Sequence, residues 1–93
     1  MNIVYTDDFN IELNEIVEFI AQDSIERAFK FRDEILDKTD SIFPMPYRFR
    51  KNQKLDVEDV RDLIYKGYVV PFCIYDDHIE ILGIFKENLH ELG

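Results

Sequence analysis

The chain has 93 residues, of which 46% are hydrophobic, and it carries a formal net charge of −9. This length suits one small domain, residues 1–93, and eight Phe with five Tyr supply apolar surface for a core, which argues against a disordered chain. No apolar run approaches the roughly 20 residues of a membrane-spanning helix, and residues 1–9 lack the pattern of a secretory signal. We therefore expect a soluble, cytoplasmic protein.

The lone Cys73 excludes an internal disulfide, which also favours a reducing compartment. No two His, or His and Cys, stand at the spacing of metal ligands, and the three glycines form no phosphate-binding loop. The sequence therefore predicts no metal and no cofactor.

A short strand followed by a helix is predicted at the start of the chain. Residues 3–5 are β-branched and aromatic, which favours a strand, and Thr6 is suited to cap a helix that starts with two Asp residues. Residues 22–24 are expected to end this helix. Its buried side is predicted from apolar residues at helical spacing, namely Phe9, Leu13, Ile16, Val17 and Ile20.

A second helix follows at once. Asp23 and Glu26 resemble a capping box at its start, and it is predicted to end near Ile42, because Pro44 and Pro46 cannot continue a helix. Its buried stripe is predicted to comprise Ile25, Ala28, Phe29, Ile35 and Leu36.

Three short strands joined by tight turns at Lys66-Gly67 and Asp76-Asp77 are predicted in residues 60–85. Both faces of the middle strand are largely apolar, so we expect the helices on one face and the terminal segment or a partner on the other. Pro71 lacks an N–H donor and predicts a bulge or a locally unpaired edge. The predicted fold is α+β, in the order β-α-α-β-β-β, with a helical hairpin packed on a small, mostly antiparallel sheet.

Positive charge is concentrated in residues 45–54, which hold four basic and no acidic residues. A protein with this net charge repels polyanions at long range, so this segment is the first candidate for contact with an acidic partner. The candidate partner-binding residues are Tyr47, Arg48, Phe49, Arg50, Lys51 and Lys54. The alternative is a solvated loop between helix and sheet, as charge runs commonly are.

Several pieces of the sequence, in this order and spacing, resemble the RelE/ParE superfamily of toxins from bacterial toxin-antitoxin pairs. They are the second-helix sequence of residues 23–35, a Pro followed by Arg48, the Val-Arg-Asp-Leu strand that contains Arg61, the Gly-Tyr that ends at Tyr68, and a Tyr-Asp-Asp turn before an Ile-rich strand. The resemblance covers most of the chain, and within the superfamily the sequence is similar to the ParE branch. It implies a helical hairpin on a curved sheet, an apolar groove wrapped by a cognate antitoxin, and DNA gyrase as the target. Tyr68 joins the candidate binding residues.

The RelE branch implies a different activity, cleavage of messenger RNA on the ribosome by a cluster of Lys, Arg and Tyr. Such chemistry needs cations at the scissile phosphate and a group that moves the 2′-hydroxyl proton. In this sequence Val69 stands where many members carry an arginine, and Arg61, Lys86 and His90 are the remaining candidates. Arg61 has a structural alternative, an ion pair that fixes the sheet edge. The sequence thus favours a non-enzymatic, ParE-like toxin over a ribonuclease, and a non-toxic binding member is a third hypothesis.

Overall fold

Two helices cover one face of a curved, mixed sheet in the computed structural model, which describes residues 2–87. The elements of this region are β1 (Asn2–Tyr5), α1 (Asp7–Ala21), α2 (Ile25–Asp40), a 3₁₀ turn (Pro46–Arg48), β2 (Arg50–Lys51), β3 (Val60–Tyr65), β4 (Tyr68–Ile74), β5 (His78–Ile81) and β6 (Phe85–Lys86). The α+β fold, the helical hairpin and the three-stranded meander are confirmed. The short strands β2 and β6 were not predicted.

The strands lie in the order β1-β5-β4-β3-β2, and β6 pairs with β4 beyond the end of β5. β1 runs parallel to β5, with Ile3 opposite Ile79, and the other pairs are antiparallel. The locally unpaired edge predicted at Pro71 is confirmed. Pairing of β4 with β5 ends at Phe72 and Ile81, and pairing of β4 with β6 begins again at Val69 and Phe85. There the Leu82 N–H donates to the Pro71 carbonyl at 2.9 Å.

The turn between β3 and β4 is the predicted Lys66-Gly67. Both residues have positive φ, 50° and 83° respectively, as a two-residue hairpin of the right twist requires. The Asp76-Asp77 turn is also confirmed, since the Tyr75 N–H donates to the His78 carbonyl across it at 2.9 Å.

Side-chain oxygens cap both helices. Thr6 accepts from the Phe9 N–H at 3.1 Å, as predicted. The predicted cap of α2 is wrong: Ser24, not Asp23, accepts from the Arg27 N–H at 3.1 Å. Ser24 has the extended backbone that a capping residue adopts, with φ −159° and ψ 115°, and this places its hydroxyl at the start of the helix.

The predicted buried stripe of α2 is partly wrong. Ala28 and Ile35 are buried, but Ile25 and Phe29 are 64% and 49% exposed, and Phe31 is buried in their place. The buried positions 28, 31, 35 and 39 follow the helical period, whereas Phe29 is rotated about 100° from Ala28. The helix ends at Asp40, two residues before the predicted end.

The core lies between the helices and the sheet. It contains Phe9 and Leu13 of α1, Phe31 and Ile35 of α2, and the alternate residues Val70, Phe72 and Ile74 of β4 with Ile79 and Ile81 of β5. On the opposite face of β4, Val69 is 1% exposed and lies opposite Phe85 of β6. β6 lies beside β4 in the same sheet, so the predicted cover of the second face, by the terminal segment or by a partner, stays a prediction.

Candidate functional site

Arg48, the first cation of the basic segment, caps the backbone carbonyls that follow the C-terminus of α2. The Arg48 guanidinium donates to the carbonyls of Ser41 at 2.8 Å, Met45 at 3.0 Å and Ile42 at 3.2 Å. These carbonyls belong to the turn that follows the helix, where peptide dipoles leave partial negative charge. Arg48 is thus engaged by the backbone of its own chain.

A buried carboxylate holds the second cation. The Asp62 side chain is 3% exposed and accepts from Arg50 Nε at 3.2 Å and from Asn52 Nδ2 at 2.8 Å. Arg50 Nη2 also contacts Glu87 at 3.1 Å. Burial opposes the charge on Arg50, but Glu87 and Asp62 together raise its pKa above the ordinary value. This network ties β2 and β3 to the residue that follows β6.

Arg61 has the structural role that was the alternative to catalysis. Its guanidinium donates to the Tyr47 and Phe49 carbonyls at 3.1 and 3.0 Å, pairs with Glu58 at 2.9 Å, and lies 5.0 Å from the Tyr47 ring centroid. Tyr47 donates in turn to Asp59, and this hydrogen bond raises the pKa of the Tyr47 phenol. These contacts fasten the 3₁₀ turn to β3.

The remaining lysines lie on the surface. Lys51 contacts Asp56 at 3.5 Å and Glu58 at 3.8 Å. Lys54 lies 5.2 Å from the Phe85 ring centroid, and Lys86 lies 5.9 Å from that of Tyr68. Cations near aromatic faces are stabilised by about 0.5–1 kcal/mol at exposed sites.

The structure brings Arg50, Lys54 and Lys86 together in one cleft of about 300 Å³. Asp62 and Glu87 line the same cleft and offset much of its positive charge. Arg48 and Arg61 are not among its lining residues, and His90 lies outside the described residues. The predicted catalytic residues are therefore not gathered at one point in the described part of the chain.

A larger surface feature, which we call the Phe19 groove, extends from α2 along α1 to β6. It consists of two adjoining hollows that share the Phe19 side chain, of about 430 and 590 Å³. The hollow at the α2 end is lined by Phe19, Ile20, Asp23, Arg27, Lys30, Phe31, Glu34 and Lys66. The hollow at the β6 end is lined by Glu12, Glu15, Ile16, Phe19, Tyr68, Ile84, Phe85 and Lys86.

Aromatic residues form much of the Phe19 groove. Phe19 is 70% exposed and Phe85 40% exposed, and the two line one hollow, so they form a contiguous apolar patch of the kind that marks a binding surface. Tyr68 packs against Phe31 with ring centroids 5.1 Å apart. The groove therefore offers an apolar surface with charged residues at both ends.

Two polar contacts hold the walls of the groove in place. At the α2 end, Lys66 Nζ contacts Glu34 at 3.1 Å, and hydrogen bonds from Tyr65 and Lys66 lower the pKa of Glu34. At the β6 end, Glu12 Oε1 accepts from the Ile84 N–H at 2.9 Å. A Cβ at Gly83 would lie 2.6 Å from this oxygen, so glycine permits the close approach.

Comparison with known families identifies the fold. The family model described as the ParE toxin of type II toxin-antitoxin systems, parDE, matches residues 3–88. The chain belongs to the ParE toxin family. A solved structure described as a chromosomal ParDE toxin-antitoxin system from P. aeruginosa is similar in fold, with a TM-score of 0.77, 20% identity, and coverage of 95% of this chain and 97% of that chain. No match was found among curated protein sequences.

Membership of the ParE family confirms the resemblance drawn from the sequence. Tyr68 is the one predicted binding residue that lies in the Phe19 groove. Sequence reasoning missed Phe19 itself, although a signal was present: Phe19 falls outside the apolar stripe of α1 and follows Glu15 and Glu18 on the polar side. A large aromatic residue on a polar helix face indicates a contact outside the core.

No group of three or more His, Cys, Asp or Glu side chains in residues 2–87 is arranged to hold a metal ion. Within the same residues, neither helix is long and apolar enough to cross a membrane.

Proposed function

We propose that this ParE family member is the toxin of a type II toxin-antitoxin pair, that it acts in the cytoplasm by binding DNA gyrase, and that a cognate antitoxin neutralises it by occupying the Phe19 groove. The carrying observation is a contrast between two surfaces. The cations that a ribonuclease would need are largely engaged within the fold, whereas the Phe19 groove presents exposed aromatic side chains. Exposed apolar patches of this kind mark protein-binding surfaces.

Gyrase is supported by the family to which the chain belongs. The candidate target contacts are the exposed residues of the basic segment, in particular Tyr47, which is 48% exposed, and Lys51, whose partners Asp56 and Glu58 are themselves exposed. Such surface ion pairs contribute little free energy, about 0–1 kcal/mol, so Lys51 can exchange them for contacts with an acidic target.

Cleavage of messenger RNA on the ribosome is the second candidate, favoured by the cleft where Arg50, Lys54 and Lys86 converge. Two cations without ion pairs among the described residues, Lys54 and Lys86, could hold a phosphate there. Asp62 and Glu87 oppose this, because carboxylates in the cleft repel the same phosphate. A third candidate, a binding protein without toxicity, is favoured by the net charge of −9.

Growth of cells under tightly inducible expression tests the three candidates. Total RNA and plasmid supercoiling are examined at arrest, and supercoiling by purified gyrase is measured with added protein. Lys86→Ala separates target binding from RNA cleavage, and Lys38→Ala is the matched control for loss of one lysine, because Lys38 lies on α2 and lines neither the cleft nor the Phe19 groove.

If the protein is a gyrase-directed toxin, growth arrests with intact messages and altered supercoiling, and purified gyrase is inhibited. Lys86→Ala should retain all of these effects. Arrest with cut messages that Lys86→Ala abolishes would replace the proposal with the ribonuclease. Growth without arrest would leave the non-toxic binding protein.

A further inference from the structure

We propose that the segment that fills the Phe19 groove is bipolar, with acidic side chains over the α2 end, apolar side chains over Phe19, and basic side chains over the β6 end. This inference rests on the proposed function, because it describes the antitoxin segment that the groove receives. Its basis is the arrangement of charge around the groove, which differs from the charge of the whole protein.

The α2 end carries cations that the fold does not use. Lys66 is paired with Glu34, but the Arg27 and Lys30 side chains make no ion pair with any residue from 2 to 87. Asp23 is the only acid of this hollow that is not paired with Lys66. An incoming carboxylate therefore meets two free cations and one acid at this end.

The β6 end carries the opposite charge. Glu12 and Glu15 line it with the single cation Lys86, which lies over the Tyr68 ring. Glu12 uses one oxygen to accept from the Ile84 N–H, and an ionised carboxylate has further lone pairs for a second donor. An incoming Lys or Arg can therefore pair with Glu15 and share Glu12.

The net charge of the whole protein favours a different partner. A net charge of −9 attracts a uniformly basic segment from a distance. At physiological ionic strength, however, screening acts over about 8 Å, so the side chains in contact with the segment determine which arrangement binds tightly. Arg27 and Lys30 thus distinguish the two segments, because they attract the acidic half of a bipolar segment and repel the corresponding part of a uniformly basic one.

Three synthetic amphipathic helical peptides of the same length and the same apolar positions test this. One is acidic in one half and basic in the other, one is basic throughout, and one is acidic throughout. Their dissociation constants for the full chain are measured by fluorescence anisotropy at 0.15 M salt. We expect the bipolar peptide to bind about tenfold more tightly than the basic one, since two favourable ion pairs replace two repulsive contacts.

Variants of the chain locate the effect. Arg27→Glu with Lys30→Glu is expected to reverse the order, so that the basic peptide binds most tightly, and the neutral pair Arg27→Gln with Lys30→Gln is expected to remove the preference. Arg32→Glu is the matched control, because Arg32 lies on α2 but does not line the groove. It should keep the preference for the bipolar peptide. Circular dichroism confirms that each variant is folded.

Each contrary result has a distinct meaning. Tightest binding of the basic peptide to the wild-type chain, with binding lost in Phe19→Ala, would overturn the bipolar arrangement and leave the groove intact as a docking surface. Binding that Phe19→Ala does not change, or no measurable binding of any peptide, would overturn the inference together with the proposed role of the groove.

Discussion

Asp62 is a buried carboxylate whose hydrogen bonds position Arg50, Asn52 and the loop that follows β2. The carboxylate is buried, and both of its oxygens are used, one by Asn52 and the other by Arg50. The Asn52 side-chain oxygen in turn accepts from the N–H groups of Lys54 and Leu55, which shapes the loop after β2. A buried carboxylate is tolerated only with such partners, because an unpaired one would be strongly unfavourable.

Replacement of this carboxylate is the prediction at the scale of the residue. We expect Asp62→Ala to lower the free energy of unfolding by about 3 kcal/mol, since removal of one partner from a buried pair leaves the others unsatisfied. Asp33→Ala is the matched control: Asp33 also pairs with a cation, Arg32, but its side chain is 68% exposed, and its loss should cost less than about 0.5 kcal/mol. Urea unfolding measures both. Equal effects of the two substitutions would show that the buried network contributes no more than a surface pair.

At the scale of elements, a side chain of α1 bonds the segment that precedes β6, where regular pairing has stopped. Glu12 of α1 reaches across the groove wall to the Ile84 N–H, which the interruption between β5 and β6 would otherwise leave without a partner. The contact depends on Gly83, because a side chain there would occupy the position of the Glu12 oxygen.

A double-mutant cycle tests this dependence. Gly83→Ala should destabilise the wild-type chain by about 1–2 kcal/mol, because the added methyl displaces Glu12 from its hydrogen bond. In the Glu12→Ala background the same substitution should cost much less, since the clashing oxygen is gone. Thermal unfolding of the four proteins gives the coupling energy. Additive effects would mean that Gly83 is required for its backbone and not for the approach of Glu12.

The Glu34–Lys66 contact, which joins α2 to the turn between β3 and β4, predicts a dependence on pH. The folded-state pKa of Glu34 is lowered by hydrogen bonds from Tyr65 and Lys66. A lowered pKa means that the contact stabilises the protein above the unfolded-state pKa, about 4.3, and that this stabilisation is lost as the pH falls through the folded value. Glu34→Gln should therefore reduce stability at pH 7 and have progressively less effect below pH ~4.

Unfolding curves of wild type and Glu34→Gln at a series of pH values measure this difference. Glu18→Gln, an exposed glutamate of α1, is the control for loss of one negative charge. A constant difference between wild type and Glu34→Gln from pH 7 to pH 3 would contradict the assigned contact.

At the scale of the whole molecule, one helix layer on one sheet gives a thin body with extents of 40, 37 and 21 Å. A single helix layer leaves the sides of the helices open, and large apolar side chains are exposed on both: Phe19 lines the groove, while Phe29 lies on α2 with Arg32 over its ring. These two phenylalanines allow a matched comparison of a proposed binding surface with an ordinary exposed one.

We expect Phe19→Ala to fold with nearly unchanged stability and to lose rescue by a co-expressed cognate antitoxin. Truncation of a large anchor in an apolar groove commonly costs 2 kcal/mol or more of binding, whereas burial changes little for a side chain already exposed. Phe29→Ala should keep rescue. Growth of co-expressing cells and the affinity of the purified pair measure the difference. Rescue retained in Phe19→Ala and lost in Phe29→Ala would move the docking surface to the other side of α2.

The sequence by itself determined the local structure of this protein and its family. Helical spacing, the Thr6 cap, the Lys66-Gly67 turn and the interruption at Pro71 each depend on residues that are close in the chain, so pattern and turn chemistry were sufficient. The ParE resemblance relied on the order of these same pieces. The buried side of α2 was predicted less well because tertiary packing, not propensity, decides between neighbouring apolar stripes.

Tertiary structure alone decided which charges are free and where a partner can bind. Arg50 and Glu87 are 37 residues apart, and Glu12 and Ile84 are 72 apart, so no local pattern predicts their contacts. The basic segment looks unpaired in sequence because its acidic partners come from other segments of the chain. The Phe19 groove likewise exists only where α1, α2, the β3–β4 turn, β4 and β6 meet, since a surface formed by five separate elements has no counterpart in any one of them.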